Sequence, residues 1–209
     1  MLAEGKVAGT QSASDGVGVN LRFNKHGALM TGDAVARYYE YAVRGKLWIA
    51  KTADAGVAPG TSVGTTAGFS LHNSKGSGVN VIPLAVSIGY VSGTLGAGFI
   101  ALCTNVNLTE AIPTGAAITS RPGLVGGGAP TGGVALTTST LANAPNAVWT
   151  LWNVGAGLAT TATFPSLANQ YLDGAIVLPP GGSMSLQGVA AAGTSPLVVF
   201  SCVYVEEPV

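Results

Sequence analysis

Val79-Asn80-Val81-Ile82-Pro83-Leu84-Ala85-Val86-Ser87-Ile88-Gly89-Tyr90-Val91 is built from β-branched and aromatic residues and runs into the turn cluster Gly93-Thr94-Leu95-Gly96. A run of this kind, bounded by turn residues, reads as a strand. Pro83 has no amide to donate, so it marks an edge, a bulge or a break inside the strand. The turn cluster predicts a hairpin between 85–91 and 97–103. The same grammar recurs at 65–71, 97–105, 134–140, 147–153, 175–178, 183–188 and 196–205, and Pro179-Pro180-Gly181-Gly182 reads as a tight turn between two late strands. Short strands in series without helices between them predict an all-β sandwich. A jelly roll fits the count, and an immunoglobulin-like topology fits the same pattern. The glycine-rich stretch 121–133 reads as a surface excursion.

Upstream the text differs. Residues 1–30 are rich in Gly, Ser and Asn, with one alternating run, Val17-Gly18-Val19-Asn20-Leu21-Arg22-Phe23. This predicts an extended arm carrying one strand and closed by a turn near Asn24–Gly27. Thr31 or Asp33 caps a helix expected over 33–44. Val35, Tyr38, Tyr39, Ala42 and Val43 fall on one face of it. Glu40 and Arg44 make an i,i+4 pair, and Gly45 stands at the C-cap. A strand at Lys46–Lys51 follows. The organisation expected is thus an arm and helix over 1–54, serving as a docking segment, and a sandwich domain over 55–209.

The charges divide at the same place. Of 18 charged side chains in 209 residues, 12 lie in 1–54. The other six are Lys75, Glu110, Arg121, Asp173, Glu206 and Glu207. A soluble surface usually carries about 25–35% charged residues. The sandwich is far below that, which points to faces covered by other subunits, because interface cores are depleted in charge. A formal net charge of zero with sparse Lys and Arg argues against nucleic-acid and membrane-surface partners. No run approaches the roughly 18 apolar residues of a membrane-spanning helix, and Met1-Leu2-Ala3-Glu4-Gly5-Lys6 lacks the character of a secretory signal. Disorder is excluded by 47% hydrophobic content.

A search for chemistry ends in structural explanations. His26 and His72 have no nucleophile motif nearby, and no Gly-x-Ser-x-Gly elbow occurs. Cys103 and Cys202 sit in apolar runs and read as buried small hydrophobes. No metal-ligand spacing is present, so no cofactor or metal is expected. Gly89, Gly93, Gly96 and Gly98 lack the Lys and the following helix of a phosphate loop. Glu206-Glu207 reads as a solvated C-terminal edge, since neighbours on a strand face opposite ways. The same parity puts Trp149 and Trp152 on opposite faces, one in the core and one at an interface.

The chain resembles a family of tailed-bacteriophage virion structural proteins. The matching text includes Gly27-Ala28-Leu29, Asp33, Arg37-Tyr38-Tyr39-Glu40, Gly76-Ser77-Gly78-Val79-Asn80-Val81 and Ser87-Ile88-Gly89-Tyr90-Val91-Ser92-Gly93-Thr94-Leu95-Gly96-Ala97-Gly98. It continues with Gly155-Ala156-Gly157-Leu158, Asp173-Gly174-Ala175-Ile176-Val177, Pro180-Gly181-Gly182 and Glu206-Glu207-Pro208-Val209. The resemblance implies a non-enzymatic capsid cement or decoration protein, a jelly-roll-like sandwich assembled as a homotrimer. Its expected partners are further copies of itself and the major capsid protein, on the head surface of a virion put together in the host cytoplasm. Arg22, Phe23, Lys25, Arg37, Tyr38, Tyr39 and Tyr41 are the expected capsid contacts. The alternative is the head of a tail fibre or spike that binds a host surface receptor or glycan, although the chain has no coiled-coil heptads.

Overall fold

The structure, a computed structural model, describes residues 36–105, 113–154, 168–189 and 193–209. Glu40–Val209 forms one compact unit. The elements are α1 (Tyr39–Val43), β1 (Leu47–Lys51), β2 (Thr66–Asn73), β3 (Val79–Ser92), β4 (Gly98–Asn105), β5 (Thr114–Ile118), β6 (Arg121–Pro122), β7 (Gly133–Thr140), β8 (Asn146–Val154), β9 (Ala168–Tyr171), β10 (Ser183–Val189) and β11 (Leu197–Pro208). They form two antiparallel sheets, ordered β6-β1-β11-β3-β9 and β5-β7-β2-β10-β4-β8.

Along the chain β1, β3, β9 and β11 go to the first sheet, and β2, β4, β8 and β10 to the second. The chain therefore changes sheet at every step except between β4 and β8, which are neighbours with β5, β6 and β7 inserted between them. Two interleaved Greek keys of this kind are a jelly roll. The inner faces supply the core: Trp48 and Ala50, Val86 and Ile88, Val198, Phe200, Cys202 and Tyr204 from one sheet, with Phe69, Leu71, Ile100, Leu102, Met184 and Leu186 from the other. Removing each large side chain from water is worth about 1.5–3 kcal/mol. Cys103 and Cys202 are buried free thiols in different sheets. Burial pushes the Cys103 thiol up to about 11 and raises that of Cys202 further.

Several expectations change. The hairpin at Gly93–Gly96 does not form, because β3 and β4 lie in different sheets; 93–96 is a crossover. Turn chemistry marks where a chain bends, while the partner of each strand is chosen by which apolar faces meet. Residues 175–178 are not a strand but contribute one isolated bridge, Val81 to Leu178, and the Pro179–Gly182 turn carries the chain between sheets. β5 and β9 arise from Ala-, Gly- and Asn-containing text with little strand propensity; ladder bonds to β7 and β3 hold them. Strand β1, expected within the docking segment 1–54, is hydrogen-bonded between β6 and β11 in the sandwich. Pro83 does sit at an irregularity, where the register with β11 shifts past Leu84.

Candidate contact surfaces and a buried carboxylate

Of the expected capsid contacts, Arg22, Phe23 and Lys25 lie outside the described residues. Arg37, Tyr39 and Tyr41 are exposed and Tyr38 is half-buried. Of the helix expected over 33–44, the described residues show only Tyr39–Val43, which carries Tyr39 and Tyr41, while Arg37 and Tyr38 lie in the turn before it. The helix ends in a Schellman motif, in which the Gly45 amide bonds Ala42 O and the Lys46 amide bonds Tyr41 O. Gly45 has φ +68°, a left-handed conformation that costs a glycine little. Glu40 and Arg44 approach to 3.7 Å on the surface. The apolar stripe read from the sequence is not buried as a face: Tyr38 and Ala42 are half-buried, whereas Tyr39 and Val43 are exposed.

Two apolar surfaces emerge that only the pairing assembles. On the outer face of the first sheet, the register aligns Arg121, Ile49, Val203, Ala85 and Tyr171 in one row across all five strands. Ile49 and Tyr171 at its flanks are 40% and 49% exposed. The second surface is a cavity of about 520 Å³ beside β8, lined by Thr104, Val148, Ile176, Val177, Leu178 and Pro179 among others. Val148 and Val177 are exposed there, and Trp149 follows Val148 on the edge strand β8. The ladder of β4 with β8 is irregular at Val148 and Leu151, so Trp149 lies opposite Leu102 and Trp152 opposite Ile100. The extra residue removes the regular alternation on which the opposite-face expectation for the two tryptophans rested.

The charge left on these surfaces is smaller than the sequence count. Glu207 pairs with Lys46 at 2.8 Å. Glu206 is 4% exposed, not solvated as expected. One carboxylate oxygen accepts from the Thr131 amide at 2.9 Å and the Thr131 hydroxyl at 2.7 Å; the other accepts from the amides of Gly132 at 2.9 Å and Gly133 at 2.7 Å. Burial alone would raise its pKa, but the Thr131 hydroxyl and the three amides outweigh that and hold the carboxyl below its ordinary range. The sequence does not mark the inner face, because both faces of 197–205 are apolar apart from Ser201. Val198, Phe200, Cys202 and Tyr204 alternate inward, and Glu206 is the next inward position on β11. Close approach explains the glycines that receive it: a Cβ on Gly133 would stand 2.6 Å from the Tyr204 ring.

Beside this carboxylate, Asn73 is fully buried at the end of β2. Its Nδ2 donates to Val79 O at 2.6 Å and Leu178 O at 2.9 Å, and its Oδ1 accepts from Ser77 Oγ at 2.7 Å. His72 faces the opposite side of the strand. Burial lowers its pKa, and neither its Nδ1 nor Ser70 Oγ, two residues away on the same face, has a hydrogen-bond partner. The two therefore form no nucleophile–base pair with each other. Among the described residues no cluster of three or more His, Cys, Asp or Glu could hold a metal, and no helix is long and apolar enough to cross a membrane.

The fold class is a jelly-roll β-sandwich with one short helix among the described residues. No family model, curated protein or solved structure matches the chain.

Proposed function

We propose that this chain is a non-enzymatic virion structural protein, a capsid cement or decoration protein that binds and stabilises a phage head as an oligomer. The observation that carries the reading is the surface of the jelly roll. Three of its few charges are compensated, Glu206 by buried donors and Lys46 and Glu207 by each other, while Ile49, Tyr171, Val148 and Val177 stay exposed. Charge-poor surface with clustered apolar residues is the composition of contact faces. Many weak contacts repeated over a shell hold strongly through avidity, without a tight site on any one copy. In this reading the sandwich faces join copies into a trimer, and the segment before β1 contacts the major capsid protein. The resemblance to virion proteins in the sequence supports the same assignment.

The direct test is the number of copies per virion, counted by mass spectrometry against the major coat protein. Hundreds of copies in simple proportion to coat are expected; a handful or none would defeat the cement reading. Deleting residues 1–30 is expected to abolish capsid binding and leave a folded oligomer by light scattering. Undiminished decoration by the truncated protein would remove the arm from the docking role. Trp149, 38% exposed beside the apolar cavity, favours a second reading as a receptor- or glycan-binding fibre head. A handful of copies located at the tail would make that the leading one.

A further inference from the structure

The segment between β6 and β7 runs over the end of the sandwich without belonging to either sheet. Leu124 and Val125 on it are 45% and 96% exposed, so apolar burial contributes little to holding it. Its ties are individual hydrogen bonds. The Gly123 amide donates to Leu47 O at 2.7 Å, the Trp48 indole to Gly128 O at 3.1 Å, and the Ser74 amide to Gly132 O at 2.8 Å. Four more, from Thr131, Gly132 and Gly133, converge on the Glu206 carboxylate. Bonds to an ionised acceptor are about twice as strong as neutral ones. Beneath the segment lie Trp48 and Tyr204, stacked with ring centroids 6.1 Å apart.

We propose that residues 123–132 form an acid-released strap, fastened over the Trp48–Tyr204 pair by the ionised Glu206 carboxylate and freed by its protonation while both sheets stay folded. A carboxylate offers only acceptors, matching four donors. The neutral acid carries an O–H that must itself donate, and it faces N–H and O–H groups that cannot accept equally well. The local electrostatics isolate this one group. On β11, Glu207 points to the other face of the sheet and is paired with Lys46, which precedes β1. Tyr204 shares the inward face and sends its hydroxyl to Gly133 O at 3.4 Å. β1 contributes Trp48, the register places Val81 of β3 opposite, and the end of β2 contributes the neutral Asn73. His72 lies on the other side of β2. The Glu206 carboxylate makes no ladder bond in either sheet, so the strap can open below the free energy of global unfolding.

The test is amide hydrogen exchange on the full chain from pH 7 to pH 3, corrected for intrinsic rates, in wild type and Glu206→Gln. In wild type, protection at Thr131, Gly132 and Gly133 is expected to fall at least about tenfold more than at Leu71, Leu102 and Leu186 in the ladders, a differential of about 1.4 kcal/mol. In Glu206→Gln the three amides are expected to be poorly protected already at pH 7 and insensitive to pH relative to the ladders. His72, a ladder residue of β2, is present in both proteins, so the comparison of wild type with Glu206→Gln separates its charging from that of Glu206. Loss of strap and ladder protection together would overturn the proposal, as would strap amides that stay protected in acid or in the variant. If the variant does not fold, the wild-type ratio alone decides.

Discussion

Replacing Asn73 by alanine is expected to destabilise the protein by about 2–4 kcal/mol, because one buried side chain ties four pieces of chain together. Its amide reaches the start of β3 through Val79 O and the crossover before β10 through Leu178 O. Its carbonyl holds Ser77 in the intervening turn, and its backbone exchanges bonds with Gly181 and Gly182. The two carbonyls keep one other donor each, from Ser77 Oγ and the Val81 amide, which keeps the loss below a complete orphaning. For a chain of this size each kcal/mol lowers Tm by roughly 2–4 °C, so a fall of about 4–16 °C is expected in a thermal melt. Asn73→Asp sharpens the test. Its carboxylate would face Val79 O and Leu178 O with acceptors only, so it should be at least as damaging at pH 7 and partly relieved in acid. A change below about 0.5 kcal/mol in Asn73→Ala would show that the segments hold themselves together.

Phe200→Ala is expected to cost still more, about 3–5 kcal/mol, as a large-to-small change in a close-packed core. The ring is fully buried where the sheets meet, 3.0 Å from the Cβ position of Gly68 on the opposite sheet. The backbone there cannot collapse freely. The Phe200 amide donates to Thr52 Oγ1 at 3.0 Å, and its carbonyl accepts from the Thr52 amide at 2.9 Å. Urea denaturation should show a lower midpoint with little change in slope. Val148→Ala on the exposed edge strand is the matched control and should stay within about 0.5 kcal/mol. If the two variants were equally stable, the core would not lie between these sheets.

Much of the fold was legible in the runs themselves. The Val-, Ile-, Thr- and aromatic-rich runs marked β2, β3, β4, β7, β8, β10 and β11 close to their observed bounds. Central strands such as β2 are buried on both faces from Ala67 to Asn73, so length and flanking turns revealed them better than period did. The edges were harder to read. β5, β6 and β9 are short and weak in propensity, and they exist because a neighbouring strand offers unpaired groups. On the contact surfaces, Tyr39 and Tyr41 were read as helix-packing or contact residues, and both are exposed. The row through Ile49, Val203 and Tyr171 was not legible, because Ile49 is more than a hundred residues from the other two in the chain.

By itself the sequence determined an all-β sandwich with its charge displaced toward the N-terminus, since strand periodicity, turn residues and composition are local properties. Tertiary structure alone decided which sheet each strand joins, and so that the sandwich is a jelly roll and 93–96 a crossover. It alone turned Glu206 from an expected surface residue into the acceptor for Thr131, Gly132 and Gly133. The physical reason is the same in each case. Pairing and burial depend on groups distant in the chain, and an ionised side chain goes inside only where folding delivers enough donors to replace its water.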